Sequence, residues 1–181
     1  LGCNSNFTYE HYTNILQELR KSYKFTSFKS ATTNDVILRH DVDASLHAAL
    51  KIAKIEKELD ISSTFFILFS SEFYNPISVD GSKIIRDILD LGHKLGLHYN
   101  EFFIFENNID AVETITTEIN LLEQHFSTKI EAVAAHERAL AESKSGKKLS
   151  VKLPDTIIDA YSKEFFEERK YLSDSGQFWR E

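Results

Sequence analysis

Apolar and polar positions follow two different spacings along this chain, which predicts alternating helices and strands. Apolar side chains recur every three or four residues over 8–24 and again over 44–60, as on one face of a helix. The run VILRHDVD at 36–43 and the run SSTFFILFS at 62–70 are rich in β-branched and aromatic residues. Such runs are typical of strands buried in a parallel sheet. Strand, helix and strand in this order form a βαβ unit.

The alternation continues to the end of the chain. It predicts helices at about 79–92, 108–126 and 153–169, and strands at 93–100, 129–137 and 170–176. Repeated units of this kind predict an α/β fold with a parallel sheet, either closed into a barrel or open and doubly wound. In both architectures the functional residues lie at the carboxyl ends of the strands.

Composition and charge limit the classes of partner. A chain of 181 residues with 42% hydrophobic and 27% charged residues is expected to form one domain with a substantial core. A net charge of −7 argues against nucleic acid as a partner, because phosphate binding needs a basic surface. The sequence contains neither an apolar run of membrane-spanning length nor a secretion signal, so we expect a cytoplasmic protein without a transmembrane segment. The oligomeric state is left open.

Polar residues cluster where four of the predicted strands end. These residues are His40, Asp41 and Asp43; His98, Tyr99 and Asn100; His136, Glu137 and Arg138; and Ser173, Asp174 and Ser175. Carboxylates and imidazoles brought together at one sheet edge are the ligands of many divalent metal sites.

The two acids of HDVD carry most of this hypothesis. Side chains alternate along a strand, so Asp41 and Asp43 are predicted to share a face and His40 to point toward the helices. Two carboxylates on one face repel each other unless a cation or a proton lies between them. The alternative is structural, because an Asp before a helix often forms a turn or a cap.

The other histidines are expected to be structural or exposed. His93 lies in a helix-to-strand turn between two glycines and is interpreted as structural. His11, His47 and His125 lie on predicted helices among charged residues and are expected to face solvent. The aromatic run FFIFE at 102–106 is interpreted as a core segment or, alternatively, as a wall on which a sugar stacks.

Three segments of the chain resemble a known family. RHDVD, STFFILFSSEFYNP and LDLGHKLGLHYN are similar to the polysaccharide deacetylases of the NodB-homology group, carbohydrate esterase family 4, and to its divergent branch in capsule and O-antigen clusters. Several departures accompany the resemblance, among them the spacing of the two acids as Asp-Val-Asp where the family has Asp-Asp, and a late catalytic histidine that is not found. Phe102 stands where the family motif has its second histidine, and His136-Glu137-Arg138 lacks the proline of the family's arginine motif.

The resemblance implies a deformed (β/α) barrel with fewer than eight strands and a divalent metal, most often zinc. It implies hydrolysis of an acetyl group from a sugar during synthesis of a surface polysaccharide. By this resemblance the metal ligands are Asp43, His98 and His136, where His136 replaces the missing second histidine. Asp41 is the catalytic base and Arg138 orients it, although Asp41 and Asp43 could exchange roles. The residues expected to bind substrate are Tyr99, Asn100, Asp174 and Ser175, and the last two could instead satisfy backbone groups.

Two other functions are compatible with the same residues. The chain could be a non-catalytic member of the fold that binds a saccharide or a protein partner, or an amidohydrolase that acts on a small non-sugar amide. In each case we expect a single polysaccharide-deacetylase-like domain over 1–181, with C-terminal truncation as an open alternative.

Overall fold

Helices and short strands alternate in the computed structural model, which describes residues 8–136, 153–154 and 156–173. The helices are α1 (Tyr9–Arg20), α2 (Leu46–Glu58), α3 (Val79–Asp90), α4 (Glu101–Glu106), α5 (Ala111–Phe126) and α6 (Lys163–Phe166), and a 3₁₀ turn covers Phe28–Ser30. The strands are β1 (Lys24–Thr26), β2 (Asp35–Ile37), β3 (Arg39–Val42), β4 (Thr64–Leu68), β5 (Lys94–Asn100), β6 (Ala132–His136) and β7 (Ile158–Asp159). Within these residues, no helix is both long and apolar enough to cross a bilayer.

The main sheet has five parallel strands. Their order in space, β3-β4-β5-β6-β7, follows their order in the chain, and β1 and β2 form a separate parallel pair. Parallel neighbours need crossover connections, and helices α2, α3 and α5 lie in those between β3 and β6. These strands and helices confirm the prediction of an α/β fold with a parallel sheet.

The three crossover helices pack on one face of the sheet. Their apolar side chains join Phe65, Ile67, Leu97 and Val133 in the larger core cluster. The opposite face carries a smaller cluster in which Phe66 packs with Phe28. Strand β4 is buried on both faces, as its continuous apolar run predicts.

Side-chain caps mark where the helices begin. The side chains of Thr8 and Ser45 accept hydrogen bonds from backbone N–H groups in the first turns of α1 and α2. Ser78 and Asp110 cap α3 and α5 in the same way. Gly92, just after α3, has φ = 94°, a conformation that glycine adopts without strain.

We predicted a single strand over 36–43, but this segment contains parts of two strands, β2 and β3. Residues up to Ile37 pair with β1, whereas Arg39 begins the pairing with β4. Between them, the carbonyl of Leu38 accepts a hydrogen bond from the N–H of Thr64, outside either ladder. The hydrophobic run could not show this change of partner, because both parts have the same strand-like pattern.

The predicted helix at 153–169 is wrong. Ile158 and Asp159 extend the sheet as β7 and pair with β6, and of the described residues in this range only Lys163–Phe166 form an α-helix. The N–H groups of Ile158 and Ala160 donate to carbonyls of Glu131 and Val133, so sheet pairing overrides the helix-like spacing. Of the predicted strand at 170–176, the described part, up to Ser173, contains only an isolated bridge.

A buried polar network lies on the helix face of the sheet. Glu56 of α2 is fully buried, and its carboxylate accepts hydrogen bonds from His40 Nε2 at 2.5 Å, Ser63 Oγ at 2.5 Å and the hydroxyl of Tyr12. Burial opposes ionisation of Glu56, but the hydrogen bond and charge of His40, with those from Ser63 and Tyr12, outweigh it and lower the pKa.

The roles predicted for His40 and His93 agree with this network. His40 points toward the helices and away from Asp41. His93 is buried, donates from Nε2 to the Ala53 carbonyl at 2.9 Å, and accepts from the Ser63 N–H at Nδ1 over 3.2 Å. Burial lowers the pKa of His93, which favours the neutral ring that these two hydrogen bonds require.

Candidate metal centre

Three polar side chains meet at the carboxyl edge of the main sheet. Asp43 directly follows β3, His98 lies near the end of β5, and His136 is the last residue of β6. His98 is in register with Ala134, and Asn100 is in register with His136. Because the strands are parallel, their carboxyl ends share one edge, and residues far apart in the chain come into contact there.

The nearest ligand atoms of these residues form an equilateral triangle. Asp43 Oδ1 lies 3.2 Å from His98 Nε2 and 3.2 Å from His136 Nδ1, and the two histidine nitrogens are 3.2 Å apart. Two ligand atoms bound to one tetrahedral zinc ion at about 2.0–2.1 Å are about 3.3–3.4 Å apart. The spacing therefore fits a single small cation bound by all three atoms.

The orientation of His98 directs its Nε2 atom at the other two residues. His98 is almost fully buried, and its Nδ1–H donates a hydrogen bond of 2.9 Å to the carbonyl of Ala134. This bond occupies Nδ1, so that Nε2 is the atom that faces Asp43 and His136; it donates to Asp43 when the ring is protonated and can bind a cation when it is not. A backbone acceptor behind a histidine ring is the usual support of a metal ligand.

Asp43 is the anionic member of the triangle. Its side chain is 52% exposed, in contrast to the buried ring of His98. Partial burial opposes ionisation, but hydrogen bonds from His136 and His98 and their charges outweigh it and hold the pKa of Asp43 well below its ordinary value. The carboxylate is therefore ionised at neutral pH and is available as a ligand.

The donor set indicates a transition metal. Two imidazoles and one carboxylate suit zinc and its neighbours in the first row, whereas magnesium and calcium prefer oxygen ligands alone. Three protein ligands leave a coordination position for water or substrate, as in catalytic zinc sites. Asp43, His98 and His136 thus form a candidate metal site in which the ligand types and spacing fit the ion.

Asp41 lies outside this triangle. Its carboxylate accepts a hydrogen bond of 2.7 Å from Arg39 Nη2 on the same strand. Arg39 also donates to the hydroxyl of Tyr161 at 2.9 Å, and its guanidinium lies over the Tyr161 ring at 4.5 Å. Of the two acids, Asp43 and not Asp41 belongs to the candidate triangle.

Among the described residues, the arginine that contacts Asp41 is Arg39. Arg138, which the family motif suggested, lies outside the described residues, as do Asp174 and Ser175. Arg39 was not among the predicted site residues, although the alternation that places Asp41 with Asp43 also places Arg39 on that face. Tyr161 had no comparable signal, because only the fold of the segment after β7 brings it to Arg39.

The two substrate-binding residues predicted on β5 lie in other surroundings. Tyr99 is fully buried in the core cluster beneath the helices, on the face opposite His98, so we correct its role to core packing. Asn100 caps α4, and its Oδ1 accepts a hydrogen bond of 2.8 Å from the Phe103 N–H. The run FFIFE belongs to this short helix, in which Ile104 is buried and Phe103 is exposed.

Comparisons with known proteins do not assign the chain to a family. No protein-family model matches it, and no curated protein matches it significantly.

Proposed function

We propose that this chain is a metal-dependent hydrolase that removes an acetyl group from a sugar during synthesis of a bacterial surface polysaccharide. The observation that carries the proposal is the triangle of Asp43, His98 and His136, with 3.2 Å between each pair of ligand atoms. The resemblance of RHDVD and GHKLGLH to the polysaccharide deacetylases supports the reaction and the substrate class.

We also propose that the parallel sheet belongs to a deformed (β/α) barrel with fewer than eight strands. The strand order follows the chain order, and α2, α3 and α5 contribute to one core cluster on one face. A doubly wound sheet instead reverses its strand order at a switch point and carries helices on both faces. In a barrel, the face that carries Arg39 and Asp41 would line the interior.

The reaction needs a nucleophilic water, a proton acceptor and stabilisation of the acetyl oxygen. A divalent ion bound by Asp43, His98 and His136 would supply a water activated at neutral pH and a Lewis acid for the carbonyl. Hydrolysis of an N-acetyl group breaks its C–N bond and yields acetate and a free amine, and hydrolysis of an O-acetyl group yields acetate and a hydroxyl.

Asp41 is the proposed general base. It lies on the same sheet face as Asp43, two residues earlier, and takes up the proton that water releases as it attacks. The hydrogen bond from Arg39, which is itself held by Tyr161, fixes the direction of the Asp41 carboxylate. Arg39 is therefore a positioning residue, in the role that the family resemblance assigns to Arg138.

The first test is metal content after purification without chelators. We expect close to one divalent transition-metal ion per chain in the wild type and a large loss in Asp43→Ala, His98→Ala and His136→Ala. Glu18→Gln and Asp87→Asn are matched controls, because these carboxylates belong to other ion pairs, with Lys21 at 2.6 Å and with Lys83 at 2.7 Å. A wild type that binds no ion after supplementation would contradict the proposal and favour the non-catalytic binding function.

The second test separates the candidate reactions. Acetate release is measured from an N-acetylglucosamine tetramer, from O-acetylated xylan and from a series of small non-sugar N-acetyl amides. We expect release from a sugar substrate, with a loss of at least 100-fold in Asp41→Asn at unchanged metal content. Release from the non-sugar amides alone would favour an amidohydrolase and would refute the assignment to sugars.

A further inference from the structure

A groove of about 300 Å³ opens beside the candidate metal centre. One wall consists of residues 44–47, which follow Asp43 and begin α2, and the other consists of 73–75 and the first turn of α3. Asp43, His98 and His136 do not themselves line the groove, but its first residue, Ala44, adjoins Asp43 in the chain, so an extended ligand held at Asp43 would reach the groove. Its size is at the lower end of the range for small-molecule sites, which is suitable for one or two sugar rings.

The loop after β4 is fixed to the strand that carries Asp43. Ser71 Oγ donates a hydrogen bond of 3.0 Å to the carbonyl of Asp43 itself. The hydroxyl of Tyr74 donates to the Val42 carbonyl at 2.6 Å and accepts from the Leu68 N–H at 3.0 Å. The groove is thus held in a defined position relative to the metal ligands.

The start of α3 is packed closely against the same loop. A Cβ atom on Gly81 would lie 2.2 Å from the carbonyl oxygen of Asn75, so only glycine permits this approach. The loop therefore has two attachments, one to the strand end and one to α3. Both walls of the groove are preformed, which reduces the entropy lost on binding.

The side chains that line the groove suit a sugar ring. The Phe73 side chain is a large apolar surface with 72% of the residue exposed, and the C–H face of a pyranose can stack on such a ring. Asn75, Asp80 and His47 supply polar groups around it for the hydroxyls. An apolar platform bordered by hydrogen-bonding groups matches the two kinds of surface that a sugar presents.

The charges around the groove disfavour an anionic ligand. Its lining, within the described residues, includes Asp80 but neither lysine nor arginine. The helices α2 and α3 both begin here, but the hydroxyls of Ser45 and Ser78 already accept hydrogen bonds from N–H groups of their first turns. His47, 3.9 Å from Asp80, is the one basic side chain among the described lining residues, so a uronate or phosphate would meet the Asp80 carboxylate without a lysine or arginine to offset it.

We propose that this groove is a subsite for an uncharged pyranose ring adjacent to the acetylated sugar, with Phe73 as the stacking surface and Asp80 as a selective hydroxyl acceptor. The proposal rests on the deacetylase function proposed for the neighbouring metal centre. It makes Phe73 and Asp80 specificity-determining residues, which act on substrate binding rather than on the chemical step.

The test measures binding of an N-acetylglucosamine tetramer and its deacetylation. We expect Phe73→Ala to raise both Kd and KM for the tetramer about three- to tenfold, with a smaller effect on kcat. The matched controls are Ile77→Ala and Val79→Ala, which remove exposed apolar side chains of the same segment that do not line the groove. We expect both controls to bind the tetramer as the wild type does.

Charge selectivity is tested with a hyaluronan tetramer, which alternates uronate with N-acetylglucosamine. We expect the wild type to bind the uncharged tetramer at least tenfold more tightly, and Asp80→Asn to narrow this difference. Equal affinity of the wild type for both tetramers would overturn the proposed selectivity.

The outcomes separate this inference from the proposed reaction. Binding that depends on Phe73 without acetate release would support the subsite and refute the hydrolase. Acetate release from the tetramer with unchanged Kd and KM in Phe73→Ala would refute the subsite and leave the hydrolase intact. Losses of similar size in Phe73→Ala, Ile77→Ala and Val79→Ala would also overturn the subsite, and would indicate a general apolar contact such as one with lipid.

Discussion

Arg39 and Asp41 form an ion pair of 2.7 Å within a single strand, two residues apart on the same face of the sheet. Asp41 lies two residues before Asp43, which belongs to the candidate metal triangle. Both side chains are partly shielded from solvent, and the Arg39 guanidinium also contacts the rings of Phe66 and Tyr161. In the proposed function, three alternating positions of the segment 39–43 would supply the residue that orients the base, the base and a metal ligand.

The first prediction concerns Arg39 as a positioning residue. Arg39→Gln removes the charge and the Nη2 hydrogen bond that direct the Asp41 carboxylate, so we expect kcat for acetate release to fall about tenfold or more while KM and metal content change little. Arg39→Lys keeps the charge but not the planar guanidinium or its ring contacts, and we expect an intermediate kcat. The measurements are steady-state kinetics and metal analysis on variants whose folding is verified by circular dichroism. Full activity in a folded Arg39→Gln protein would refute this role.

The second prediction concerns close packing between two strands. Gly96 of β5 lies opposite Phe66 of β4, and a Cβ atom there would lie 2.4 Å from Phe66 Cδ1 and 3.0 Å from the Ala132 carbonyl oxygen. We expect Gly96→Ala to lower the free energy of unfolding by about 1–3 kcal/mol, because the aromatic ring or the strand must move. Urea unfolding measures the change.

A double-mutant cycle identifies the cause of that loss. Phe66→Leu alone creates space and destabilises the protein, but it removes the ring atoms that the new methyl group meets. We expect the cost of Gly96→Ala to be smaller in the Phe66→Leu background than in the wild type. Strictly additive costs would show that the Phe66 ring does not limit the size of the residue at position 96.

The third prediction concerns the buried network around Glu56. Glu56→Gln replaces one acceptor oxygen by an amide donor, which disrupts hydrogen bonds to His40, Ser63 or Tyr12. We expect the free energy of unfolding at pH 7 to fall by on the order of 2 kcal/mol. Thermal and urea unfolding of both proteins measure this difference.

The pH dependence tests whether the charge of Glu56 is responsible. The folded-state pKa is below the ordinary value of about 4.5, so the unfolded chain takes up the proton first as the pH falls. The stabilisation by Glu56 is present above that pH and is lost as the pH falls through the folded-state value. We therefore expect the difference between wild type and Glu56→Gln to shrink below about pH 4.5. A difference independent of pH would contradict an ionic contribution.

The strand ends could be predicted from the sequence because one physical rule governs them. Parallel strands with continuous apolar runs place their polar last residues at one edge, and this rule brought His98 and His136 together without knowledge of any contact. The rule also indicated that a histidine on another strand could take the place left by Phe102.

Other features depend on pairing partners that local patterns do not contain. The break at Leu38 separates two strand-like runs that pair with different neighbours, and Ile158 joins the sheet only because β6 has an unpaired edge there. Glu56 occupies a position on the helix stripe that would ordinarily be apolar, and its burial depends on partners 44 residues before and 7 residues after it. Such contacts are properties of the assembled fold, so hydrophobic spacing could not predict them.

The last prediction concerns Glu118, which lies beside the buried stripe of α5. Burial raises the pKa of Glu118 to about 7, and no charged group among the described residues offsets this effect. Between the ordinary value of about 4.5 and about 7, the folded protein binds a proton that the unfolded chain has released, so stability falls as the pH rises through this range.

Glu118→Gln removes the cost of burying a charge. We expect this variant to be more stable than the wild type by on the order of 2 kcal/mol at pH 8 and nearly equal to it at pH 4. Urea unfolding at both pH values measures the difference, with Glu113→Gln, in the exposed first turn of α5, as a control expected to change by a few tenths of a kcal/mol. A stabilisation of Glu118→Gln that is the same at both pH values would show that the carboxylate charge is not its cause.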